Sequence, residues 1–205
     1  MLTNQKITDF LQKTASGTPV PGGGSVSALS AALGAGLTEM VANLTIAKKG
    51  YEAVENEMKQ IAETVKNLRE KLVTEVDKDS NAYNDVLAAF KLPKTTEAEK
   101  EQRTQAIQDA MKNAARVPLG VANDALQVMD QAEKVIINGN RNAVSDGAVG
   151  AMMARTAVLG ALFNVKINLA SVKDQAFVEE MMQQVNKLES RVQEREKEIL
   201  SHVKV

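Results

Sequence analysis

The chain of 205 residues has no cysteine, no tryptophan and a single histidine, and aromatics make up only 3% of it. Without cysteine there can be no thiol nucleophile, no disulfide and no cysteine-ligated zinc or iron–sulfur site. The one histidine, His202, stands near the C-terminal end, a poor place from which to serve a Ser-His-Asp triad. Polar chemistry is left to carboxylates, Lys, Arg, Tyr, amides, hydroxyls and backbone groups. A surplus of charge is missing too. With 25 Lys and Arg against 26 Asp and Glu, the formal net charge is −1, without the basic excess of a nucleic-acid binder. The scarcity of aromatics means a core of Ala, Leu, Val, Ile and the nine Met, which favours close-packed helices over a β-sandwich. Met1–Lys6 lacks the basic start and apolar stretch of a signal peptide, so a cytoplasmic protein is expected. The length fits one domain over residues 1–205.

Proline is also scarce. The four, at positions 19, 21, 93 and 118, punctuate long helical patterns, and no convincing strand intervenes. A short helix is expected from about Asn4 to Lys13. Ser16 to Gly24 reads as a loop, since neither Pro nor a Gly triplet suits a helix interior. Ser25 is a good N-cap for a second helix reaching about Ala47. That helix is small and apolar nearly all round, hence buried. Glu39 and Asn43 inside it, with no basic flank before it, argue against a membrane span. A long third helix, about Glu52 to Phe90, carries a heptad of apolar residues from Tyr51 through Leu72. The same register then meets Glu75 and Asp79 before Ala82, Val86 and Ala89 resume it. A straight helix drifts by about 20° per heptad, which would shift the stripe to Val76, Tyr83, Leu87 and Phe90. Asp79 stays on the inner face either way, Glu75 only in the strict register, and Asp77 in neither.

Thr96 to Glu99 forms a capping box for a fourth helix, with a kink expected at Pro118. After a turn at Asn138–Asn142, Ser145 or Asp146 is expected to cap a fifth helix, Gly147 to about Ala170, again rich in Ala and Gly. Asp174 can cap a last amphipathic helix. The fold class expected is all-α: an antiparallel bundle of long helices with two buried Ala/Gly-rich helices, which could also serve a dimer interface.

Four places could carry chemistry. Gly22, Gly23, Gly24 and Ser25 precede a helix, where glycines admit a ligand to the backbone and free N–H groups attract anions. The stretch is neither a P-loop nor a dinucleotide fingerprint, and a plain turn would look the same. Asp79 on an apolar face suits general acid/base work through a raised pKa, or else pairs with a Lys or Arg as a structural acid. Asn140, Ser145 and Asp146 offer an amide, a hydroxyl and an acid at another helix start, where capping alone would also account for them. Asn164 and Asn168, at i and i+4, share one face of an apolar helix and need partners, in a neighbouring helix or a ligand. Lys48 and Lys49 could meet an anionic tail or simply be solvated.

These positions fall within stretches that resemble the cyclodeaminase/cyclohydrolase family, which includes the C-terminal domain of formiminotransferase-cyclodeaminase. The stretches are Thr18–Val26, Asp79–Tyr83, Leu92-Pro93-Lys94 with Arg103 downstream, Val117-Pro118-Leu119, Gly139–Asp146 and Gly160–Leu169. Their order and spacing, more than any one of them, carry the resemblance over roughly residues 16 to 174, and no formiminotransferase portion is present.

The resemblance implies an all-α homodimer that binds a tetrahydrofolate derivative as substrate. It implies no tightly bound cofactor, no metal, and neither nucleic acid nor membrane as partner. The implied reactions are cyclisation of 5-formiminotetrahydrofolate to 5,10-methenyltetrahydrofolate with release of ammonia, or interconversion of the methenyl and 10-formyl forms. Both pass through a tetrahedral carbon between two folate nitrogens, and one carboxylate of tuned pKa serves either. On this basis Asp79 is the expected general acid/base, with Asp146 as the exchange candidate. Gly22–Ser25 bind a polar or anionic part of folate. Tyr83, Asn140, Ser145, Asn164 and Asn168 shape the pocket, and Lys49 meets a glutamate tail of one or more residues. A non-catalytic helical interaction protein is the competing reading.

Overall fold

A computed structural model describes residues 1–204. Among them there is no strand. Six α-helices follow in order: α1 Ile7–Thr14, α2 Gly23–Asn43, α3 Glu55–Phe90, α4 Glu97–Asn138, α5 Val144–Leu169 and α6 Gln175–Ser201. Short 3-10 turns precede α1, α3 and α5.

The centre is α2, packed against α3, α4 and α5, with α6 laid over α4 and α5. Both α2 and α5 are built from small residues, and this brings their backbones together. A Cβ on Gly34 would come within 2.7 Å of the Gly150 carbonyl oxygen, and one on Gly150 within 3.1 Å of the Gly34 carbonyl. Gly160 lies against Ser27, and Gly23 against Asn164. These contacts make α2 and α5 antiparallel. The start of α2 meets the end of α5, and the start of α5 meets the end of α2. Both helices are long and apolar enough to cross a membrane, but their apolar windows are 61% and 50% buried inside the fold.

The capping box on α4 forms as expected: Thr96 Oγ1 accepts from the Glu99 N–H while Glu99 reaches back to the Thr96 N–H. Asp174 caps α6 by accepting from the Phe177 N–H at 3.2 Å. Pro118 sits inside an unbroken α4. Two capping expectations are corrected. The N-cap of α2 is Gly22, and Ser25 lies in the first turn with its hydroxyl turned to another helix. Helix α5 starts at Val144 after a 3-10 turn capped by Asn140, so Ser145 and Asp146 lie inside its first turn and cap nothing.

On α3 the strict heptad faces the core at Leu72, Ala82 and Ala89, and Val76, the first residue of the drifted stripe, is buried with them. Glu75 is buried as well and is satisfied by Lys78 at 2.6 Å. Tyr83, Leu87 and Phe90, on the drifted stripe, are about 40% exposed and line the edge of the bundle instead. Asp77 points away from the core and pins the N-terminus, accepting from the Leu2 N–H at 2.7 Å and from the Thr3 hydroxyl.

Candidate active site

One cleft of about 350 Å³ opens where the start of α2, the middle of α3, α4 and the end of α5 converge. Its walls carry Gly22, Gly23, Gly24, Asp79, Tyr83, Asn164 and Asn168 together. Met111, Ala114, Ile167 and Val86 supply an apolar surface. Four parts of the chain distant in sequence thus meet at one acid.

Asp79 is held by α2. The Ser25 hydroxyl, fully buried, donates to Asp79 Oδ2 at 2.9 Å. Ser25 also lies 3.0 Å from the buried Ser80 hydroxyl. Ser25 has one proton, and an ionised Asp79 takes it. Ser80 therefore donates to Ser25, giving the chain Ser80 to Ser25 to Asp79. Gly24 packs so closely that a Cβ there would overlap the Asp79 carboxylate. Burial pushes the Asp79 carboxyl above its ordinary value, and the Ser25 hydroxyl and backbone N–H, both donating to it, offset part of that rise.

Two neighbours provide hydrogen-bonding capacity. Asn164 donates Nδ2–H to the Gly160 carbonyl at 2.8 Å, and Asn168 donates to the Ala114 carbonyl at 2.7 Å. Each amide is thereby oriented with its Oδ1 unengaged among the described residues. The first N–H groups of α2, at Gly23 and Gly24, have no partner within the helix and stand at the cleft wall. The site therefore offers two acceptors, a pair of backbone donors and one desolvated carboxyl. Such a set can hold a flat, polar heterocycle and move a proton beside it. No three His, Asp or Glu side chains are grouped to hold a metal ion among the described residues.

The other sequence candidates lie elsewhere. Asn140, Ser145, Asp146 and Lys49 are at the opposite end of the α2–α5 pair, about 28 Å along α2 from Gly24. Asn140 is buried and fully engaged. Its N–H donates to Thr45 Oγ1, its Nδ2 to the Leu44 carbonyl, and its Oδ1 accepts from the Asn142 N–H. Ser145 and Lys49 are exposed and Asp146 is half-buried, all away from the cleft. Within one chain these four do not join Asp79. Ser25 serves the carboxylate directly rather than the open cleft. Ser80 was missed: it is one residue from Asp79, hence about 100° around the helix and off the stripe that drew attention to the acid. Its hydroxyl beside Asp79 in sequence is the signal that could have found it.

Residues 6–187 match the model of the family described as formiminotransferase-cyclodeaminase. The chain is 40% identical over 188 residues to a methenyltetrahydrofolate cyclohydrolase of Methylorubrum extorquens, covering 92% of this chain and 90% of that protein. It is 35% identical over 187 residues to the formimidoyltransferase-cyclodeaminase of Gallus gallus, covering 91% of this chain but spanning only 35% of that longer protein. The structure superposes on a formiminotetrahydrofolate cyclodeaminase from Thermotoga maritima with a TM-score of 0.88 and 31% identity, covering 99% of this chain and 98% of the other.

Proposed function

Because the chain belongs to the formiminotransferase-cyclodeaminase family, we propose that its Asp79 cleft works on the one-carbon unit between N5 and N10 of tetrahydrofolate. The observation that carries this reading is the desolvated Asp79 carboxyl, seated under the first turn of α2 and beside two free amide oxygens. In the cyclohydrolase direction a water attacks the bridging carbon of 5,10-methenyltetrahydrofolate and Asp79 takes its proton. The carbinol O–H then loses its proton to solvent as C=O forms, the C–N5 bond breaks, and Asp79 returns its proton to N5, leaving the 10-formyl form. In the cyclodeaminase direction N10 attacks the formimino carbon held on N5, its proton passes to the imine nitrogen to give an amine, and Asp79 supplies the further proton with which the C–N bond breaks and ammonia leaves. Asn164 and Asn168 present Oδ1 to the pterin amino and ring N–H groups. The Gly23 and Gly24 N–H groups meet its carbonyl. No tightly bound cofactor takes part.

The 40%-identical relative of matching length favours the cyclohydrolase, and we place it first. The cyclodeaminase, the other reaction the resemblance implies, is supported by the Thermotoga maritima relative of matching length. We propose a homodimer as the working assembly. Val26, Leu33 and Met40 on α2, with Val149, Met152 and Phe163 on α5, leave large apolar side chains uncovered along the two central helices. That surface suits a second copy.

Purified protein assayed side by side on both substrates tests the reading. The expected result is loss of methenyltetrahydrofolate absorbance that scales with enzyme, with slower or no ammonia release from the formimino substrate. Faster ammonia release would reverse the order of the two reactions. Neither activity, with no folate binding by calorimetry, would leave the non-catalytic interaction protein as the better account.

A further inference from the structure

We propose that Arg103 binds the glutamate carboxylates of the substrate, at the far end of a ridge formed by Tyr83, Leu87 and Phe90. This rests on the folate reading of the Asp79 cleft and extends it from the pterin end to the tail.

Two helices lead independently from the cleft to this point. On α3, Asp79, Tyr83, Val86 and Phe90 succeed one another at i, i+4, i+7 and i+11 and so lie on one face. The first three line the cleft, and Phe90 continues the row beyond it. On α4, running the other way, Ala114 and Met111 line the cleft, and Arg103 lies on their face nearer the start of the helix. Each path covers about 11 residues, roughly 16 Å of helix. From Asp79, at the reacting carbon, that span leaves room for the benzoyl ring, a single glutamate and its contact with the Arg103 side chain. The row between is apolar and uncovered: Tyr83, Leu87 and Phe90 are 40%, 39% and 46% exposed. It is a surface on which a benzoyl ring can lie.

The end of the row is prepared for an anion. The last carbonyls of α3 would repel a carboxylate. Arg103 covers one of them, donating Nε–H and Nη2–H to the Phe90 carbonyl at 3.3 and 3.0 Å. Its guanidinium also stacks over the Phe90 ring, 5.6 Å from the centroid. These contacts hold the group while leaving Nη1 and one Nη2 proton free, the edge that grips a carboxylate. Of the acids on the first turns of α4, Glu97 pairs with Lys100 and Glu99 closes the capping box, while Glu101, two residues from Arg103 and so on another face of the helix, makes no ion pair with it. Arg103 makes no ion pair among the described residues, so its charge is available. The tail thereby falls to Arg103 and not to Lys49, which stands at the other end of α2.

The test compares calorimetric affinities of wild type and Arg103→Gln for tetrahydrofolate and for tetrahydropteroate, the same molecule without glutamate. Glutamine can still donate to the Phe90 carbonyl but carries no charge, and an unchanged Tm checks that the fold is kept. The expected result is a Kd for tetrahydrofolate raised about tenfold or more, with the Kd for tetrahydropteroate unchanged. Equal weakening of both ligands, or of neither, overturns the proposal while leaving the cleft assignment standing. Failure of the wild type to bind either ligand overturns the folate reading itself, and the tail site with it.

Discussion

Asp79→Asn is expected to abolish turnover while making the folded protein more stable near neutral pH. A positioned general acid/base contributes about 10²–10⁴-fold, so kcat should fall by that order with folate affinity largely kept. The stability effect follows from the direction of the pKa shift. Burial makes the Asp79 carboxyl easier to protonate in the folded chain than in the unfolded one. Below the ordinary value of 3.8 both forms are protonated, and the buried group carries no penalty. As pH rises through the elevated folded-state value, the carboxyl ionises in a poorly solvated site, and that part of the stability is lost. Asparagine is neutral at every pH. Thermal melts should place the variant above wild type near neutrality, with the gap closing as pH falls below the ordinary aspartate value. Site residues tuned for chemistry often cost stability in this way. A variant equally active, or one less stable at neutral pH than at acid pH relative to wild type, would mean that the carboxyl is structural.

Gly24→Ala should lose about 10²-fold in kcat, although alanine is the better helix former by about 1 kcal/mol. Gly24 is inside α2 with ordinary helical geometry, so its value lies in the room it leaves. A Cβ would occupy the space of the Asp79 carboxylate. Either the carboxylate turns away from Ser25, or the first turn of α2 shifts and takes the Gly23 N–H with it. Both displace groups whose placement within about 1 Å matters. In the Asp79→Asn background the same change should cost little further activity, since the two substitutions disable one device. Wild-type kcat in Gly24→Ala would show that the close packing has no catalytic consequence.

The helices were legible in the sequence because their signals are local. Apolar residues at helical spacing, the Thr96–Glu99 box and Asp174 each act within a few residues. The Asp79 side of the site was legible for a related reason: an acid on an apolar stripe is conspicuous whichever register holds. Ser25 was legible as important but not in its role. A serine at a helix start looks like a cap, and only the approach of α3 turns its hydroxyl toward Asp79. The second polar cluster shows the limit most clearly. Nothing local tells whether Asn140–Asp146 will meet Gly22–Ser25. That depends on α2 and α5 being antiparallel, which follows from the contacts of Gly34, Gly150 and Gly160 between distant segments. The drift of the α3 heptad likewise depended on the partners: Ala82 and Ala89 face the core, so Tyr83 and Phe90 are left to the cleft and its approach.

The most direct test of Asp79 as the general acid/base is the pH dependence of kcat/KM for wild type and Asp79→Asn on the preferred substrate. The account predicts a wild-type ionisation above the ordinary aspartate value of 3.8, because the carboxyl is desolvated. Activity should rise with pH through it if Asp79 takes a proton from water, and fall if it gives one to ammonia. In either direction that limb should vanish from the residual activity of Asp79→Asn. The same limb persisting in the variant would contradict the assignment.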